Sequence, residues 1–163
     1  EETWHDPDEP LPEDVFVAYI RLVDIGSDGT LWGIEVHGLE PTSRDLVRFD
    51  GNEWRRWPLG GTESSTYRDG SALGVAPDGS VWVGLETDTQ SHTDGDTMVE
   101  SRCAGVGHLE GETWHRYLTD RCIEALGIAA DGSVWMLAGE SVGEAGRTSS
   151  VYVITPEAVA AAE

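Results

Sequence analysis

One nucleophile pattern stands in this chain: Gly139-Glu140-Ser141-Val142-Gly143 fits the Gly-x-Ser-x-Gly elbow, in which a strained strand-to-helix turn lifts a serine hydroxyl clear of the backbone. That chemistry needs a helix behind the serine, with an acid and then a histidine further along. A Gly-rich segment and then Tyr152-Val153-Ile154 follow instead, and no Asp or His occurs after Ser141, so no catalytic residue is assigned. A second cluster, Asp88, Asp94 and Asp96 around Gly95, offers the hard oxygen ligands that calcium takes. It lacks the spacing and terminal Glu of an EF-hand, and an acidic loop is the plainer reading. His92 alone does not make a transition-metal site. Calcium is thus the one cofactor with any candidate ligands, and none is expected.

Binding chemistry is easier to find than catalysis. Trp57, Tyr67, Arg68, His92, Arg102, Arg121 and Arg147 are side chains able to stack or to bind in bidentate fashion, and all fall in the longer segments between the hydrophobic runs. Cys103 and Cys122 are too few for a disulfide scaffold or a four-ligand zinc site, but each begins a predicted strand at the same end of its unit. A bridge between them is feasible, and would fit an extracytoplasmic protein.

What must position these residues is a repeat of about fifty residues. Ile25 to Ile34 (IGSDGTLWGI), Val75 to Leu85 (VAPDGSVWVGL) and Ile128 to Leu137 (IAADGSVWML) align on Trp32, Trp82 and Trp135. A second motif follows the first two, Leu46 to Trp54 (LVRFDGNEW) and Val106 to Trp114 (VGHLEGETW), and its closing part opens the chain as Glu1 to Trp4. Each unit predicts four antiparallel strands. Asp-Gly corners join the first strand to the second because a tight hairpin needs a residue at positive φ, which glycine takes without a Cβ clash. Consecutive apolar residues such as Val81-Trp82-Val83 predict a strand covered on both faces, and the recurring Trp residues are expected to pack between sheets.

The pattern of apolar residues, Asp-Gly-Ser/Thr-apolar-Trp, a strand, then Asp/Glu-Gly-x-x-Trp resembles the propeller repeats in the sensor regions of two-component regulators. It is similar, more loosely, to NHL-type and virginiamycin B lyase-like repeats. The resemblance covers most of the chain and implies an all-β fold of four-stranded propeller blades used for ligand or protein recognition, with function carried on loops. About three blades are present, half of a six-bladed ring: a leading outer strand at 1–7, blades at 15–58 and 70–118, an incomplete blade at 122–155, and a tail at 156–163 that reads as a short helix.

Three blades do not close a ring, since propellers use about four to eight. Two copies are therefore expected to complete one another, the Trp4 strand of each filling the last blade of the other, or else further blades belong to a longer chain. The start at Glu1, inside a repeat, predicts sequence upstream. Tight turns (at Asp28, Asp50, Asp78, Glu110 and Asp131) all fall at one end of the blades, and the long connections (5–14, 36–45, 57–70, 86–102 and 139–149) at the other, which is the expected binding face. With 31 acidic and 10 basic residues, all of the latter Arg, the formal charge of -21 repels phosphate backbones and anionic headgroups. Nucleic acid is excluded as a partner, and no apolar run is long enough to insert in a membrane. The leading expectation is a non-catalytic sensor or scaffold that binds a protein or small molecule. The alternatives are a propeller lyase with a divalent metal near the ring axis and a structural half-propeller completing a longer protein.

Overall fold

The computed structural model describes residues 19–37, 43–59, 65–93, 96–141 and 147–161. The leading Trp4 strand and the start of the first unit lie outside them. The described residues are all-β, with one short helix, and form three antiparallel sheets in chain order. The first holds β1 (Tyr19–Ile25), β2 (Leu31–His37), β3 (Ser43–Phe49) and β4 (Trp54–Pro58). The second holds β5 (Ser65–Val75), β6 (Val81–Thr93), β7 (Asp96–Glu110) and β8 (Thr113–Tyr117). The third has three strands, β9 (Cys122–Ile128), β10 (Val134–Ser141) and β11 (Arg147–Ile154), and the helix α1 (Pro156–Ala160) follows β11 in the chain. Thr155 caps that helix by accepting the Ala158 amide proton, and Pro156 in its first turn needs no donor.

The Asp-Gly corners follow one plan in all three sheets. Gly29, Gly79 and Gly132 lie at φ of 83°, 88° and 86°, and each donates its amide proton to the carbonyl three residues back. The outer amides of Gly26, Ala76 and Ala129 bond to the carbonyls of Thr30, Ser80 and Ser133, so the loop is a three-residue type with a glycine bulge. The aspartate is as important as the glycine. Asp28 Oδ1 accepts from the Thr30 amide at 3.0 Å and from the Thr30 hydroxyl at 2.6 Å; Asp78 does the same for Ser80, and Asp131 accepts from the Ser133 amide at 2.9 Å. In the first sheet the network continues into the core, because Trp32 Nε1 donates to Thr30 Oγ1.

Two apolar seams join the sheets. Trp32, Ile34, Leu46 and Trp57 of the first pack on Val81, Val83, Leu85 and Leu109 of the second. The opposite face of the second, with Ala72, Trp82 and Val106, packs on Val134, Met136 and Ala138 of the third. This explains the consecutive apolar residues of β6: Val81 and Val83 face one neighbour while Trp82 faces the other, so the strand is buried on both sides. Trp135 departs from the expected burial, being 51% exposed.

The long connections of the second sheet are not loops. From Glu86 opposite Cys103 to Thr93 opposite Asp96, β6 and β7 stay paired as a ribbon that is three-stranded as far as Thr89, where β5 from Ser65 to Asp69 pairs alongside, and two-stranded beyond. In the sequence, Thr at every second position over Thr87 and Thr89 and an Asp94-Gly95 pair between two runs of this kind are themselves a hairpin signal. The segments 57–70 and 139–149 are likewise partly strand.

Candidate functional site

Several expected site residues hold the frame together. Trp57 lies in β4 opposite Leu46, not on a connection, because alternation along Trp54–Pro58 turns it inward. Its indole stacks on Trp32 with centroids 5.3 Å apart, and its Nε1 donates to Glu112 Oε2 at 3.0 Å across the first seam. Arg121 ties the second seam: its carbonyl accepts the Gly105 amide proton, and its guanidinium lies 5.9 Å from the centre of the Tyr152 ring and 3.6 Å from Asp120. Cys103 and Cys122 form a disulfide with Cα atoms 4.4 Å apart, linking the root of the ribbon to the first strand of the third sheet.

The backbone positions of Tyr67 and Arg68 are in β5 opposite Thr87 and Glu86, that of His92 near the ribbon tip opposite Thr97, that of Arg102 opposite Thr87, and that of Arg147 opposite Ser141. Their side chains lie outside the described residues, as does Asp94 altogether. The ladder separates the calcium candidates. Asp96 pairs with Thr93, five residues beyond Asp88, a span of about 17 Å at strand rise. Ligand distances of about 2.5 Å cannot bring both to one ion. Among the described residues no group of three His, Cys, Asp or Glu converges as a metal site. Ser141 ends β10 and pairs with Arg147 of β11, the next described residue, so the described chain continues from the serine into a strand; residues 142–146 of the elbow pattern lie outside the described residues.

What sequence reasoning missed lies at the tight-turn end. Between the first and second sheets is a crevice of about 410 Å³ floored by Trp32 and Trp57. Arg48 and Arg55 stand on one wall, and Asp78, Glu110 and Glu112 on the other. The Arg48 guanidinium already lies 5.7 Å from the centre of the Trp32 ring, and it reaches Asp28 at 3.5 Å. A second crevice, of about 350 Å³, opens between the second and third sheets beside Trp82, His108, Asp131 and Pro156, and shares Asp78 and Glu110 with the first. His108 is buried there, its ring 4.1 Å from that of Trp82 and within 14° of parallel. Two of the rim carboxyls are stabilised in the ionised form. The Thr30 hydroxyl and amide keep the Asp28 carboxyl below the usual range, and the Ser133 amide and hydroxyl do so for Asp131. The signal was present in the sequence, since each corner carries an acid and each following strand an indole, but spacing alone shows no hollow between sheets.

No protein-family model matches the chain. No curated protein matches it either. A solved structure of a protein of unknown function from Dyadobacter fermentans DSM 18053 is similar in fold, with a TM-score of 0.54 at 11% identity. The match covers 88% of this chain and 52% of that one, so this chain spans about half the length of that relative in fold.

Proposed function

We propose that the protein is a run of three propeller blades serving as a non-catalytic recognition module, which takes a cationic side chain or peptide into the crevices at its tight-turn end. The observation that carries this reading is the pair of acid-rimmed, indole-floored crevices that share Asp78 and Glu110. A guanidinium is already accommodated over Trp32 within the molecule, so the floor suits a cation electronically. A formal charge of -21 draws basic partners by the same field that repels nucleic acid. The Cys103–Cys122 bridge supports an oxidising, extracytoplasmic setting. Calorimetric titration with an arginine-rich peptide tests the reading. Asp78→Asn combined with Glu110→Gln keeps an acceptor at the Asp78 corner while removing two charges, and should weaken binding about tenfold, with a smaller salt dependence. Unchanged affinity would remove the crevices as the contact surface.

A second reading places recognition at the opposite end. The β6–β7 ribbon favours it, since its two-stranded end carries the backbone of His92 beyond the strands of the second sheet, with Arg102 nearer its root.

A further inference from the structure

The two seams within the chain show how one sheet receives the next. Trp32, Trp82 and Trp135 hold the same place in the second strand of their sheets, and the residues across from them in the first strand are Asp24, Gly74 and Gly127. At the second seam Trp82 is 2% exposed, and a Cβ on Gly74 would lie 2.6 Å from Leu126 Cδ2 and 3.0 Å from Ile128 Cδ1. Gly74 is thus a hollow filled by two side chains of the following sheet. The third sheet repeats the hollow with nothing in it: Trp135 is 51% exposed, a Cβ on Gly127 meets nothing within 4 Å, and Val151 and Val153 extend the apolar face.

The matching knobs are at the other end of the same chain. Val23 and Ile25 occupy in β1 the places that Leu126 and Ile128 occupy in β9, and they are 55% and 64% exposed. We infer that the outward face of the third sheet, around Gly127 and Trp135, seats the outward face of the first sheet, around Val23 and Ile25, of a second copy of this chain. The contact is head to tail, so each copy keeps a free knob and a free hollow until a ring closes. Three sheets cannot close on themselves, whereas two copies supply six, within the range in which radial sheets form rings. This association rests on the reading of the sheets as propeller blades and is separate from what the crevices bind. Two chains of formal charge -21 repel, so an apolar contact between them strengthens as salt screens the repulsion.

Sedimentation equilibrium on the whole chain, from micromolar to about 100 µM and at low and high salt, tests the inference. The expected result is a species of twice the 17.7 kDa chain mass whose dissociation constant falls with added salt. Gly127→Leu fills the hollow from within at a site with room for the side chain, so the monomer stays folded by circular dichroism, and dissociation should rise by about tenfold or more. Ile25→Asp should do the same from the opposite side, while Glu53→Gln, on an exposed turn, should change nothing. A monomer throughout, open-ended higher oligomers, weakening by salt, or a dimer indifferent to both Gly127→Leu and Ile25→Asp would each overturn it. Peptide titration on the monomeric variant reports on the crevices alone, so the two readings fail separately.

Discussion

Replacing Cys103 and Cys122 together by serine removes a covalent tie between the root of the ribbon and the third sheet. The partners are 19 residues apart, enclosing all of β8 and the turn that leads to β9. Closing a loop of that size in the unfolded chain costs about 3 kcal/mol at 25 °C, which the intact bridge spares folding. With a urea slope of about 2 kcal/mol per molar, the unfolding midpoint should fall by about 1.5 M at unchanged slope. The assay is urea denaturation followed by tryptophan fluorescence, on the native chain with and without reductant and on the double-serine variant. Trp82, buried in the second seam, reports separation of the third sheet. Reduced native protein and the serine variant should coincide, and the variant should ignore reductant. Equal midpoints for oxidised and reduced native protein would refute the reasoning, because the bridge would then constrain nothing that the fold does not already hold.

Acid should act through the turn aspartates. Asp28 is held below its ordinary range chiefly by the Thr30 hydroxyl, Asp50 by the Glu53 and Asn52 amides, and Asp131 by the Ser133 amide. A carboxyl whose folded value is depressed stabilises fully above the unfolded value, about pH 4, and loses that contribution as pH falls through the folded value. Thermal midpoints should therefore drop below about pH 4, and a triple Asn variant at these positions should show a shallower drop; parallel slopes would refute the assignment. Gly105 lies at φ of 77° with its Cβ direction blocked by the carbonyls of Tyr117 and Leu118, so Gly105→Ala should cost about 2 kcal/mol or more. Gly127→Ala, at an ordinary φ and facing open space, should stay within about 0.5 kcal/mol by the same measurement.

The repeat was legible because its signals are local. An Asp-Gly corner, a small hydroxyl residue and an apolar strand with an indole lie within eight residues, so each hairpin declares itself without knowledge of its neighbours. The cysteine pairing was legible although the strand bounds were not: Cys122 begins β9 as expected, while Cys103 lies mid-way along β7, where the ribbon meets the body of the sheet. The place of Trp57 inside β4 was not legible, because its inward direction depends on its register against Leu46. The segment around residue 90 was misread because length and polarity suggested a loop, while β6 and β7 stay paired through it as far as Thr93 and Asp96. The crevices were invisible for a different reason: they are spaces between sheets, bounded by residues some fifty positions apart such as Asp28 and Asp78.

The ribbon and its bridge have a mechanical side. The ribbon's strands run from tip to root, so a pull along its length is carried by the covalent backbones of β6 and β7 down to the body of the sheet. At its root, Cys103 passes that load across a sulfur link to Cys122 in the adjoining sheet, bypassing the turn in which Leu118 takes φ of 51°. Tension reaching this lever arm is thus delivered to two layers of the stack at once, and reducing the disulfide would leave only the apolar seam to carry it across.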